Sequence, residues 1–280
     1  MSDLIEAYGR GLRAAGYSAE TIRERRIVLA RAERALRRGL KVASAGELES
    51  WLAGPAPPDR EWSRWTRYTY FEHLFGFYVW AVARRHRDRN PMDELTRPRT
   101  PHNEPRPASE QQLAIALGMP RPWRTAVLLA AMQGLRCAEI ARLSRDDVTV
   151  EWLPVERKGG KTQLLPTHPL VFAELSALPP GPAVPTSRGV HFRPKGLAVA
   201  VSRQLTLAGL PEELTLHWFR HRYATMSLLP QDLGGAGADV RTVQELLGHA
   251  SLASTQVYIQ VTSAQRRAAV LALPVPAAVA

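Results

Sequence analysis

Four short pieces of this 280-residue sequence carry side chains of the kind that do chemistry. They are Gly134-Leu135-Arg136-Cys137-Ala138-Glu139-Ile140; Lys161, beside a Gly-Gly pair; His217-Trp218-Phe219-Arg220-His221; and Leu246-Leu247-Gly248-His249, with Tyr258 nine residues after the histidine. Guanidinium forks match the oxygens of a phosphate. An imidazole exchanges protons near neutral pH, and a tyrosine hydroxyl, with a free pKa of about 10, attacks only when assisted. Singly, each piece has a plainer reading. Arg136 reads as a surface arginine pairing along a helix with Glu139, three residues on. Lys161 reads as turn decoration, His217 and His249 as capping or core histidines, and Tyr258 as a core tyrosine with a wet hydroxyl. His217 and His221 stand four apart, a spacing two helical metal ligands use. No cysteine cluster and no acidic neighbour completes a ligand set, so no metal site is expected. Cys137 has no base beside it and reads as a small helix residue.

The elements that must position these residues fall into two stretches. Up to about residue 95 the pattern is helical. Leu4, Ile5, Tyr8 and Leu12 recur at helical spacing, Ser18 is placed to cap the next helix, and Ile22, Leu29, Ala32 and Leu36 mark its face. Gly39 reads as its stop, and Glu47 to Leu52 as a short helix. Between 61 and 87, Trp62, Trp65, Tyr68, Phe71, Leu74, Phe75 and Tyr78 recur three or four apart, which reads first as a core stripe. Arg60, Arg64 and Arg67 lie among them, and Arg25 and Arg26 on the second helix, as candidate phosphate contacts. A proline-rich linker is expected over 96–107. Beyond it, helices are expected over Ser109 to Leu117 and Trp123 to Met132, and from Lys195 onward. Between them Val148, Val150 and Trp152 alternate, and Lys158-Gly159-Gly160-Lys161 then Leu164-Leu165-Pro166 follow, which predicts a β-hairpin turning at the Gly-Gly pair. A helix is expected from near Asp239.

Composition narrows the partners. Lys and Arg number 37 against 26 Asp and Glu, a formal net of +11 with a pI near 10.5. Residues 1–100 hold 19 basic and 13 acidic side chains and the remainder 18 and 13, so the excess is shared. A protein this basic meets a polyanion, nucleic acid or an anionic membrane surface, and an even spread fits two domains that touch the same polymer. A bias toward Arg in the coding sequence explains Arg over Lys but not the surplus over acids. Cys137 is the single cysteine, which excludes an intrachain disulfide and fits a reducing cytoplasm. Met1-Ser2-Asp3-Leu4 does not open a signal peptide, and no apolar run approaches the ~18 residues of a membrane span.

Taken together, the order Arg, Lys, His-x-x-Arg, His, Tyr resembles the tyrosine recombinase family, which includes phage integrases and the bacterial chromosome-dimer resolvases. That family runs G-L-R-x-x-E, a hairpin lysine, H-x-x-R, L-G-H, and a tyrosine nine residues later. All are present here in order, and Asp239 to His249 is especially close to the family's wording. The resemblance covers roughly residues 105 to 262, with two departures: Trp218 follows His217 where an acidic residue is frequent, and Gln260 stands where a histidine is common. It implies a mainly α protein: an all-α N-terminal core-binding domain over 1–95 and an α+β catalytic domain over 108–262 with a small antiparallel sheet. It implies a C-shaped clamp around duplex DNA, monomeric in solution and tetrameric on two synapsed sites. In the tail, 263–280, Ser263 to Leu273 reads as a helix, and the segment either frays or, as the resemblance implies, docks on a neighbouring subunit. No cofactor is implied.

The resemblance also implies roles. Arg136 and Arg220 clamp the scissile phosphate, with Glu139 orienting Arg136. Tyr258 attacks, and His217 is its proton acceptor or hydrogen-bond partner. Lys161 protonates the leaving 5′-oxygen, and His249 donates to the phosphate. The product is a 3′-phosphotyrosine. Phage integration is the first expectation, assisted by DNA-bending or directionality proteins. A Xer-like dimer-resolving recombinase, a type IB topoisomerase and a catalytically silent DNA-binding regulator are the alternatives.

Overall fold

The computed structural model describes residues 2–54, 62–100, 106–157 and 160–248. The chain divides into two compact units, Met1–Asn103 and Glu104–Ala280.

In the first unit, α1 (Asp3–Ala14) buries Ile5, Tyr8 and Leu12, one face of a 3.6-residue repeat. The helix α2 (Ala19–Ala35) starts where the Ser18 hydroxyl accepts the Thr21 N–H at 3.2 Å. It ends at Ala35, short of the expected stop at Gly39. The Glu33 carboxylate reaches forward to the Leu40 N–H at 2.6 Å, and Gly39, at φ +69°, instead opens the one-turn helix α3 (Gly39–Val42). A Ser44–Glu47 capping box begins α4 (Ala45–Ala53), and Ser63 caps α5 (Arg64–Ala83). Phe71, Leu74, Phe77 and Tyr78 of α5 are buried with Leu29 and Leu48, each contributing about 1.5–3 kcal/mol. Tyr8 meets Phe77 edge to face at 5.5 Å. The aromatic stripe therefore divides: Phe71 and Tyr78 are core, while Trp65 is exposed.

In the second unit, a Ser109–Gln112 capping box begins α6 (Glu110–Leu117). The helix α7 (Trp123–Gln133) is buried over Thr125, Ala126, Val127, Leu128, Leu129, Ala130 and Ala131, so it is enclosed on all sides. It packs against α6, α9 (Pro169–Ser176) and α11 (Leu216–Leu228). The one-turn α8 (Cys137–Ile140) packs against α7 and α10 (Pro194–Leu207). The strands β1 (Trp152–Glu156) and β2 (Thr162–Pro166) form an antiparallel hairpin in which Leu153 pairs with Leu165 and Glu156 with Thr162. The strand starts at Trp152, not at Val148, because the Thr149 hydroxyl takes the Trp152 N–H at 2.9 Å and turns the chain first. Asp239 caps α12 (Val240–Leu247). Among the described residues the fold is mainly helical with one small antiparallel sheet. Among the described residues no helix is long and apolar enough to cross a membrane.

Candidate active site

Gly134 ends α7 in the left-handed conformation, φ +65°, and a side-chain carbon there would sit 2.5 Å from the Tyr223 ring. That turn delivers Arg136 to the start of α8. The Arg136 backbone N–H donates to Glu139 Oε2 at 2.7 Å, and its Nη1 donates to Glu139 Oε1 at 2.9 Å. The pair is therefore a folded unit rather than a surface decoration: Glu139 is 6% exposed.

Two further guanidiniums reach the same carboxylate. Arg220 of α11 approaches Oε2 at 3.7 Å, and Arg157 donates from Nη1 to Oε1 at 2.8 Å. The three side chains are exposed to 39% (Arg136), 11% (Arg157) and 1% (Arg220), so an incoming anion meets Arg136 first. Three cations around one carboxylate leave a positive surplus in a partly dry site, where charge interactions are stronger than in water. Arg220 also donates to the Gly134 carbonyl, and at 2.7 Å to the Leu247 carbonyl. Arg136 donates to the Gly248 carbonyl at 3.3 Å. The ends of α7 and α12, α8 and α11 thus converge on one cluster.

Sequence reading does not single out Arg157, yet a signal was there. Leu153 and Val155 are buried, and a period of two puts residue 157 on the same inward side, where a charge needs a partner. Its partners are Glu139, the Gln163 side chain at 2.9 Å and the Leu246 carbonyl at 2.7 Å.

His217 lies in the first turn of α11, its ring 4.2 Å from that of His221. Desolvation of the ring pulls its pKa below the ordinary value of 6.5, and the charges of Arg220 and Arg136 pull the same way. At neutral pH it is an uncharged imidazole, able to accept a proton. Lys161 is exposed at the mouth of the hairpin, where its carbonyl accepts the Arg157 N–H at 2.8 Å. His249, Tyr258 and Arg60 lie outside the described residues, as do Lys158, the tail 263–280 and part of the expected linker.

The candidate DNA-contacting arginines of the first unit differ among themselves. Arg64 is exposed in the first turn of α5, and Arg67 is half-buried one turn on. Arg25 donates to the Tyr8 hydroxyl at 2.8 Å and lies over the Tyr17 ring, while Arg26 is ion-paired with Glu6. These last two guanidiniums bind within their own unit.

Residues 119–265 match the Phage integrase family. The tyrosine recombinase XerC of Mesorhizobium japonicum is 34% identical over 193 residues, covering 61% of this chain and 60% of that protein. XerC of Nitrobacter winogradskyi is 36% identical over 160 residues and is matched over 48% of its length, so such matches span about half to three-fifths of these relatives. XerC of Rhodospirillum centenum is 31% identical over 291 residues, covering 93% of this chain and 83% of that protein. Among solved structures, a lambda integrase dimer bound to a COC′ core site superposes with a TM-score of 0.72 at 19% identity, covering 94% of this chain and 77% of that one. At that identity the likeness concerns the fold.

Proposed function

The chain belongs to the phage integrase family of tyrosine recombinases, and on that premise we propose that it breaks and rejoins duplex DNA at specific sites with Tyr258 as nucleophile. The observation that carries this reading is the convergence of Arg136 and Arg220 on Glu139, with His217 beside them, its pKa depressed by burial and then by the charges of Arg220 and Arg136. Two guanidiniums so held stabilise the extra negative charge that a phosphodiester gains in its transition state. His217, neutral, takes the phenolic proton as the Tyr258 oxygen bonds to phosphorus. The bond from phosphorus to the 5′-oxygen breaks, and that oxygen leaves with a proton from Lys161. His249 donates to a phosphate oxygen. The phosphotyrosine keeps the energy of the broken diester, so a 5′-hydroxyl from another strand reverses each step and reseals the DNA without ATP.

The partner is double-stranded DNA, bound by both units, each of which carries an excess of base. Arg64, exposed in the first turn of α5, is the better candidate in the first unit for a phosphate contact, since Arg25 is bonded to Tyr8 and Arg26 to Glu6. The working form is a tetramer on two synapsed sites, assisted by DNA-bending or directionality proteins. Integration of phage DNA is one use of this chemistry. The similarity to XerC proteins favours a second, resolution of joined chromosomes.

The test incubates the protein with a pool of nicked, randomised duplexes and isolates SDS-resistant adducts. Adducts whose DNA converges on one sequence support the reading. Adducts without sequence preference favour a topoisomerase, and tight binding with no adduct favours a silent regulator.

A further inference from the structure

One residue of the cluster has no part in the proposed reaction, yet it touches Glu139, the hairpin and the end of α12 together. The Arg157 guanidinium donates to Glu139 Oε1 at 2.8 Å, to Gln163 Oε1 at 2.9 Å, and to the carbonyls of Leu246 at 2.7 Å and Leu247 at 3.4 Å. Its backbone N–H donates to the Lys161 carbonyl at 2.8 Å, closing the mouth of the hairpin. Gln163, turned by Arg157, donates in its turn to the Glu245 carbonyl at 3.1 Å. The last residue of α12's cap, Gly248, is left-handed at φ +60°, and a side-chain carbon on it would come within 2.8 Å of the Arg157 guanidinium carbon. The backbone that leads into His249 is thus seated directly on Arg157.

We propose that Arg157 is a positioning residue for strand cleavage, a role that rests on the recombinase reading above. It carries part of the Glu139 charge, so that the carboxylate orients Arg136 and Arg220 without cancelling their field at the phosphate. It also fixes the backbone of Leu246 to Gly248 relative to the hairpin. Only an arginine does both: a planar fork with donors on three nitrogens spans a carboxylate, a side-chain amide and two carbonyls, whereas an ammonium supplies the charge from a single point. With Arg157 neutralised, the full charge of Glu139 falls on Arg136 and Arg220, the positive field that keeps His217 neutral weakens, and the deprotonation of His217 that readies it as base moves to higher pH.

The experiment uses the duplex recovered from wild-type adducts and the full chain, comparing wild type, Arg157→Met and Arg157→Lys in single-turnover cleavage at saturating protein. The result expected for Arg157→Met is a cleavage rate lower by about 30- to 100-fold, an alkaline shift in the rising limb of its pH profile, and a Kd for the duplex changed by less than about threefold. Arg157→Lys returns the limb to its wild-type position and restores the rate only in part. Cleavage within about threefold of wild type in both variants overturns the proposal. So does a rate loss in Arg157→Met with an unmoved pH limb, which would mark a residue that serves folding alone. Should Arg157→Met not fold, Arg157→Lys decides: a wild-type limb with a reduced rate supports the role, and a wild-type rate overturns it. If the wild-type protein forms no adduct, the recombinase reading fails on its own, before any variant is compared.

Discussion

Arg157 and Arg136 share one oxygen: their Nη1 atoms lie 2.8 and 2.9 Å from Glu139 Oε1. With Arg220 approaching the other oxygen, three cations depend on this one carboxylate. Removing the charge takes from Arg220 and Arg157 the buried carboxylate they share, and breaking a buried pair from one side is costly. Glu139→Gln is expected to lower the unfolding free energy by about 3 kcal/mol, measured by urea denaturation at pH 7. A loss below about 1 kcal/mol would show that the cluster is not held together by this carboxylate.

A second carboxylate sets the acid behaviour of the same unit. Glu174 of α9 is 5% exposed and accepts from Arg121 at 2.9 Å, Arg124 at 2.7 Å and the Thr125 hydroxyl at 2.7 Å. Burial alone would raise its pKa; the hydrogen bonds from Arg121, Thr125 and Arg124 outweigh burial and hold it at about 2. The folded pKa lies below the unfolded value of 4.5, so the stabilisation is complete above pH 4.5 and drains away as the pH falls toward 2. The wild type is expected to exceed Glu174→Gln in stability by about 3 kcal/mol at pH 7, with the gap closing through that window. A gap independent of pH between 5 and 2 would contradict the assignment.

Much of this arrangement is legible in the sequence, and the part that is not has a common cause. Helix starts are written locally: Ser18, Ser109 and Asp239 each accept a backbone N–H within three residues, and each was readable as a cap or a helix start. The β1–β2 hairpin and the mainly helical architecture follow from the same short-range signals; Gly159 of the expected turn lies outside the described residues. The stop expected at Gly39 and the strand expected from Val148 fail where one side chain redirects the backbone, Glu33 onto Leu40 and Thr149 onto Trp152. α9 was not anticipated, since His168 is an uncommon cap and Pro169 reads as a breaker until it is seen in the first turn. The family pattern names Arg136, Glu139, His217 and Arg220 without saying that Arg220 is buried or that Arg136 and Arg220 meet at Glu139. The period of two marks residue 157 as inward but does not name its partners, three of which, Glu139, Leu246 and Leu247, lie 18, 89 and 90 residues away along the chain.

His217 offers a titration that reads the cluster directly. Desolvation, with Arg220 and Arg136 nearby, lowers its pKa, so the folded protein prefers the neutral ring. Stability from this source is present above the unfolded value of 6.5 and diminishes as the pH drops through the folded pKa. Histidine NMR should place His217 below 6.5, and Arg136→Gln should move it upward. A pKa at or above 6.5 in the wild type would remove the basis for treating it as a proton acceptor at neutral pH.

The leaving oxygen tests Lys161. Sulfur in place of the bridging 5′-oxygen departs as a thiolate and needs no proton. Lys161→Ala is expected to cleave ordinary duplex about 100- to 1,000-fold more slowly and to recover on the sulfur-bridged duplex. Recovery shown by Lys158→Ala in its place would move the acid three residues along the hairpin.

In the proposed reaction Tyr258 forms the covalent bond to DNA. The most direct measurement digests the SDS-resistant adduct and identifies the peptide bearing the nucleotide, with Tyr258→Phe run beside the wild type. The expected result is a 3′-phosphodiester on Tyr258 and no adduct from Tyr258→Phe, with duplex binding retained. An adduct that survives Tyr258→Phe, or a nucleotide attached to any other residue, would contradict it.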